Sequence, residues 1–286
     1  MRKFLKKLSH GRLEPLVYGA YSVLIFLERH VLSLRWYLQG FRKPDAQAQA
    51  FVAENVTFLY KSFERQRLAA RLYRNIHSYY PGARVIIADD SAKPLQLTGD
   101  NLTVLQLPFN SGLSYGLNRA LEQVQTPYVM RMDDDELLTL RTDVHGELKF
   151  LMEHPQADLA GFGVVSTPRC LPPEKSAALY YRQSMAGAPK PLKIPHMTLL
   201  DPSHIVLGKT ANVFLTRTDR LREIGWDDHI RMIDHNEFFT RAAGNLVSVM
   251  NPHTVILHCH NQFNRKYQSF RADVEGDRRY ISMKYR

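Results

Sequence analysis

The sequence predicts an α/β fold: a mostly parallel central sheet flanked by helices, with a helical N-terminal extension. Three observations carry this. From Val56 onward, apolar runs of the buried-strand type alternate with segments whose apolar residues recur every three or four positions. Two of those runs end in clustered acids, Asp89–Asp90 and Asp133–Asp134–Asp135. The composition, 286 residues at 44% hydrophobic with 15 Gly and 15 Pro, is that of an ordinary folded domain with room for one extension.

Taken in order, residues 15–27 form an apolar run that is too short to span a bilayer, and Glu28, Arg29 and His30 follow it at once. No small-residue cleavage site follows. Residues 31–43 mix Leu, Trp and Phe with basic side chains, a composition suited either to a membrane interface or to amphipathic helices packed on the rest of the chain. Residues 44–50 read as a linker or helix start. Strands are predicted at 56–60, 84–88, 102–107 and 128–132, with helices over 64–80 and 114–124. Strand, helix, strand, strand, helix, strand is the order of a parallel sheet with helical crossovers. Further on, a helix is expected at 142–155, a strand at 160–165, a loop-rich stretch at 167–207 and a strand at 210–215. Helices at 219–225 and 236–244 and a strand pair at 246–257 complete the series. The expected division is a basic amphipathic extension (1–50), a catalytic domain (51–262) and a basic tail (263–286).

Net charge is +10, concentrated at the two ends: Arg2, Lys3, Lys6 and Lys7, then Arg265, Lys266, Arg271, Arg278, Arg279, Lys284 and Arg286. Such an excess suits an anionic membrane surface or a phosphorylated substrate. No RNA-binding aromatic motif, zinc-finger spacing or recognition helix is present in the sequence, so nucleic acid is not an expected partner. Two cysteines, Cys170 and Cys259, make no disulfide framework. With no spanning segment, they lead to an expectation of a cytoplasmic protein, peripheral at the inner face of the cell membrane.

The chemistry centres on Asp133–Asp135. Three adjacent like charges need a neutralising cation or solvent, and a strand end facing a crevice is where an open α/β sheet binds ligands. Hard carboxylate oxygens suit Mg²⁺ or Mn²⁺ together with phosphates; the alternative is a solvated acidic turn. Asp89–Asp90 would open onto the same crevice. In the segment 110–118, Gly112 and Gly116 permit close backbone approach, and helix-start amides with Arg119 favour anions.

Residues 56–63, 84–91, 109–118, 128–135, 212–219, 225–227 and 234–239, in that order, resemble successive blocks of GT-A-fold glycosyltransferases. The resemblance is to family 2-type enzymes and the related β-1,4-N-acetylgalactosaminyltransferases of ganglioside and Sd(a)-type glycans, over residues 55–262. It implies a metal-dependent, inverting transfer of a sugar from a UDP-sugar, UDP-N-acetylgalactosamine or another UDP-hexose, to a glycan or glycolipid acceptor in surface-polysaccharide assembly. It implies Mn²⁺ or Mg²⁺ at a DXD-type motif, with Asp135 as direct ligand, Asp133 in support and Asp134 beside the donor. Asp89 or Asp90 would meet the base, and Lys61 and Phe63 would enclose the nucleoside with Asn110, Gly112 and Asn118. His258 is the expected third metal ligand, with His260 on the same strand face a weaker candidate.

An inverting transfer also needs a carboxylate to take the acceptor proton. The family's acidic pair falls on Asp234 and His235, so this chain departs from the pattern at the second position, and Asp234, Glu237 and His235 are all candidates. Trp226 and Asp227 resemble acceptor-loop residues. Two rival readings are a nucleotidyltransferase and a non-catalytic basic interaction protein. Against the first, the first strand leads into Lys61-Ser-Phe-Glu-Arg65 without a glycine-rich loop.

Overall fold

The computed structural model describes residues 13–271 and 274–286; the basic residues Arg2, Lys3, Lys6 and Lys7 lie outside this range. A 25-residue helix, Glu14–Leu38 (α1), leads to a shorter one, Ala46–Asn55 (α2). Asp45 starts α2 by accepting the amide of Ala48 at 2.8 Å. The chain then enters Val56–Ser62 (β1), where only Lys61 is not fully buried, because both faces of this strand are covered. There follow Gln66–Tyr79 (α3), Arg84–Asp89 (β2), Leu102–Gln106 (β3), Leu113–Glu122 (α4) and Tyr128–Asp133 (β4).

Alternation sorts β1 into two layers. Phe58 and Tyr60 join Leu72 and Ile76 of α3 in one core, whereas Leu59 joins Leu117 and Leu121 of α4 in the other. β1 lies between β2 and β4, parallel to both, with Ser62 opposite Asp89 and Lys61 opposite Asp133. This register brings the two acidic strand ends to the same carboxyl edge of the sheet.

Beyond β4 the sheet is mixed. The remaining elements are Glu136–Leu138 (β5), Val144–Glu153 (α5), Leu159–Ser166 (β6), Pro173–Tyr181 (α6), Ile205–Val206 (β7), Phe214–Arg217 (β8), Thr218–Ile224 (α7), Asp234–Ala242 (α8), Ser248–His258 (β9), Arg265–Phe270 (α9) and Glu275–Lys284 (α10). The strand order is β3-β2-β1-β4-β8-β6-β9-β5, with β7 also on β9. β8 runs antiparallel to β4 and β6, and β5 antiparallel to β9.

Three expectations are corrected. The pair of strands expected at 246–257 is one strand, β9: its pairing with β6 shifts register at Phe162/Gly163, so Pro252 sits in an irregularity where its missing N–H is tolerated. The loop-rich stretch 167–207 contains α6 and β7. The segment 263–286, expected as a basic tail, carries two helices folded against the domain.

α1 docks through Ile25, Trp36, Tyr21 and Leu32 against Leu137, Val255 and Leu257. Asn261 donates to Tyr18 O at 3.1 Å and to Ser22 Oγ at 2.9 Å, and Glu28 accepts the amides of Arg169 and Cys170. Among the described residues, no helix is long and apolar enough to cross a membrane.

Candidate active site

β4 ends on Asp133, and the chain turns through Asp134 and Asp135 into β5. The three carboxylates coexist because each lies against a guanidinium, Arg131 for the first and Arg65 for the other two. Asp133 Oδ1 accepts from Arg131 Nη2 at 2.8 Å. Arg131 lies two residues back on the same face of β4 and is completely buried. Asp134 is gripped by both arms of Arg65, whose Nε donates to Oδ2 at 3.1 Å and whose Nη2 donates to Oδ1. Arg65 Nη1 also reaches Asp135 Oδ2 at 3.0 Å, and its guanidinium lies 4.1 Å from the Tyr267 ring centroid. The protein's own arginines therefore neutralise much of the triplet. Asp133, expected among the metal ligands, is instead turned toward Arg131.

Asp135 has two further neighbours. His258 Nε2 lies 3.6 Å from its Oδ1 and His260 Nδ1 lies 3.2 Å from its Oδ2. The amide of Cys259 donates to Asp135 O at 2.8 Å, and this backbone link brings the end of β9 to the turn after β4. One donor atom from each of Asp135, His258 and His260 falls within 4.8 Å of the others. One carboxylate oxygen and two imidazole nitrogens make a set that fits a first-row divalent cation, and suits Mn²⁺ better than the oxygen-seeking Mg²⁺. Burial opposes ionisation of Asp135, but Arg65 and the imidazoles outweigh it and hold the carboxyl well below the usual range. For His258, burial is overcome by Asp135, which lifts the imidazole to about 9.

These groups form one wall of a cleft of ≈ 660 Å³. Lys61, Phe63, Asn110 and Gly112 line it from the β1 and β3 side, and Asp234 and His235 from the start of α8. Gly112 has φ +109°, and a Cβ there would stand 3.3 Å from Arg231 Cα. A Cβ on Gly116 would come within 2.9 Å of Lys61 Cδ, so this glycine makes room for the lysine stem.

Asp234 is buried, and its Oδ2 has no hydrogen-bond partner, with Arg131 Nη2 4.0 Å away. Burial pushes its carboxyl up to about 6, Arg131 pulling down and Asp133 pushing further up. His235 is fixed by a 2.8 Å contact from Nε2 to Thr210 O, which assigns the proton to Nε2. Burial and then Lys209 lower its pKa to about 3, so it stands neutral.

Several candidates lie outside the cleft. Asp89 is wholly engaged with the Ser91 hydroxyl at 2.6 Å and the Leu95 amide at 2.7 Å, where it shapes the loop after β2. Asp90 pairs with Lys61 and accepts the Gly112 amide at 3.2 Å; it orients two cleft-lining residues and is itself fully buried. Asn118 bonds both the amide and the carbonyl of Trp226, tying α4 to the loop after α7. Trp226 stacks on Phe238 with centroids 5.6 Å apart and belongs to the core. Asp227 is held by Lys284 at 2.6 Å and Tyr280 at 2.9 Å.

Glu237 does not share the cleft with Asp234. It is bound by Arg241 at 2.6 Å, Lys284 at 2.7 Å and Tyr285 at 2.9 Å, because a three-residue step along α8 turns its longer side chain toward α10. Arg241 and Lys284 hold its carboxyl below the usual range against the effect of burial.

Sequence reasoning missed Arg65, Arg131, Lys209, Tyr267 and Arg271, all except the fully buried Arg131 lining the cleft. The one available signal was Arg131 itself, a charge inside the otherwise apolar run of β4.

Residues 60–185 match the family model described as Glycosyl transferase family 2. That segment is similar to a glycosyltransferase family 2 domain. Relatives of this chain include human Beta-1,4 N-acetylgalactosaminyltransferase 1, 32% identical over 228 residues, covering 76% of this chain and 41% of the relative. Mouse Beta-1,4 N-acetylgalactosaminyltransferase 2 is 31% identical over 205 residues, covering 71% and 39%. The chain thus spans about two fifths of the length of these curated relatives. Among solved structures, S. aureus TarS 1-349 in complex with UDP-GlcNAc aligns with a TM-score of 0.54 at 18% identity, covering 73% of this chain and 59% of that chain. The fold is GT-A.

Proposed function

We propose that the chain is a metal-dependent, inverting glycosyltransferase that moves an N-acetylhexosamine or another hexose from a UDP-sugar to a glycan or glycolipid hydroxyl in surface-polysaccharide assembly. The observation that carries this reading is the juxtaposition, around one cleft, of the Asp135–His258–His260 donor set with the Asp234 carboxylate, whose Oδ2 has no hydrogen-bond partner. The relatives named N-acetylgalactosaminyltransferases and the TarS complex with UDP-GlcNAc support the donor class.

Asp135, His258 and His260 would hold a divalent cation, which when bound would supply positive charge to a nucleotide diphosphate. The chain's own residues do the rest. Arg65 and Arg131 fix the carboxylates of the β4 turn, and Lys61 and Arg271 add positive charge to the cleft. Phe63 offers an aromatic wall, packed edge-on against Phe270 with centroids 5.1 Å apart. Asp234 takes the proton of the acceptor hydroxyl as that oxygen bonds to the anomeric carbon and the bond to the diphosphate breaks. A carboxylate raised to about 6 is a stronger base than an ordinary one and is still ionised at neutral pH. Neutral His235, with its Nε2 proton on Thr210 O, is suited to acceptor contact more than to proton transfer. Transfer or hydrolysis of a panel of UDP-sugars with Mn²⁺, by the wild type and Asp234→Asn, tests the reading; undiminished turnover in that variant contradicts it.

The outward face of α1 supports a reading of peripheral contact with an anionic membrane. Leu16, Val23, Leu27, Val31, Leu34 and Leu38 share one side of the helix and are 53–75% exposed, while Arg35, Arg42 and Lys43 flank its C-terminal end.

A further inference from the structure

The helix α10 bears on the segment that carries Asp234 at both of its ends. Asp277, in the first turn of α10, is 5% exposed. Its carboxylate accepts three consecutive amides: Arg231 at 3.1 Å, Met232 at 2.8 Å and Ile233 at 3.2 Å. These are the residues immediately before α8, and all three line the cleft. Ile233 occupies the N-cap position of α8 and has no side chain able to cap it. On the far side, Lys284 and Tyr285 hold Glu237, three residues beyond Asp234. Converging backbone N–H groups form an anion-binding nest, and charge-assisted bonds to them are roughly twice as strong as neutral ones. The same loop also reaches the opposite cleft wall, since the Leu113 amide donates to Arg231 O at 2.9 Å.

Resting on the reading of Asp234 as base, we infer that Asp277 is a positioning residue for the reaction: from more than forty residues away it fixes the backbone from which Asp234 projects into the cleft. It touches neither donor nor acceptor. Its effect passes through the placement of one carboxylate.

A double-mutant cycle tests this. Asp277→Ala is expected to lower kcat by about 10- to 100-fold, the scale of a misplaced catalytic group. Asp277→Asn, which keeps one oxygen for the amides, is expected to recover part of that loss. In the Asp234→Asn background, adding Asp277→Ala should change the residual rate by less than about twofold, because its target is already gone. A merely structural role would lower both backgrounds alike. Wild-type kcat in folded Asp277→Ala, or losses that multiply in the double variant, overturns the inference; Asp277→Asn serves the same cycle if Asp277→Ala does not fold. Failure of the base assignment is read separately, from Asp234→Asn alone.

Discussion

The buried side chains of Arg131 and Asp234 lie 4.0 Å apart, and the same guanidinium donates to Asp133 at 2.8 Å. One buried arginine thus joins the acidic turn after β4 to the start of α8. Removing one partner of a buried ion pair leaves the other uncompensated, which costs about 3–5 kcal/mol. Arg131→Ala should lower unfolding stability by that amount in urea titrations, and should raise the kinetic pKa assigned to Asp234.

The pH dependence of turnover follows from Asp234. Its carboxyl is lifted to about 6, so below that pH the group is protonated and cannot accept the acceptor proton. kcat/KM should therefore climb as pH rises through about 6 and level off above it. Asp234→Asn should remove this acid limb and lower kcat by about 10²–10⁴-fold, the usual contribution of a general base. A pH–rate profile of both proteins provides the check.

Both histidines at the end of β9 are expected to matter for metal. His258→Ala and His260→Ala should each weaken Mn²⁺ binding by more than the about 10–100-fold typical of outer-shell groups. Asp133→Ala should change it much less, because that carboxylate faces Arg131. Calorimetric Mn²⁺ titrations distinguish these variants.

How much of this was legible in the sequence depended on distance along the chain. Strand ends are local signals: Val56–Ser62 and Tyr128–Asp133 announce themselves through apolar runs, and a charge at the end of such a run is visible at once. Asp135 was readable for that reason, whereas Asp234 and His258 were reached only through the resemblance to family 2-type enzymes. Arg65 was not readable, because its partners Asp134 and Asp135 lie 69 and 70 residues away and no periodicity marks such a pairing. The same holds for Asp277 and for Tyr267 and Arg271, which lie in a segment whose basic composition suggested a tail. Trp226 misled in the opposite way: a lone tryptophan in a loop looks like a sugar platform, but its ring had a core to fill between Phe238 and its neighbours.

Stability should also respond to pH through a second buried network. His204 lies between Glu147 at 3.0 Å and Asp201 at 2.7 Å and stacks on Phe150. Burial lowers its pKa, but Glu147 and Asp201 outweigh burial and leave it raised. A raised folded-state pKa means the contribution is fully present below the unfolded value of about 6.5 and is lost as pH rises through the folded value. Chemical denaturation at pH 6 and pH 9 should show a larger decline in the wild type than in His204→Gln.

Contact of α1 with lipid predicts cosedimentation with anionic vesicles that weakens in high salt. Val31→Glu with Leu34→Glu should reduce it at least about tenfold, since burying each apolar side chain contributes about 1.5–3 kcal/mol. A second copy of the chain covering this face would instead appear as a dimer in sedimentation velocity, disrupted by the same pair of substitutions.

The central claim is that Asp135, His258 and His260 hold a cation against a UDP diphosphate in the cleft beside Asp234. Calorimetric titration of UDP, with and without Mn²⁺, into the wild type and Asp135→Asn measures it directly. The expected result is UDP binding that Mn²⁺ strengthens in the wild type and leaves unchanged in the variant. UDP binding equally responsive to Mn²⁺ in both proteins, or absent from both, would contradict it.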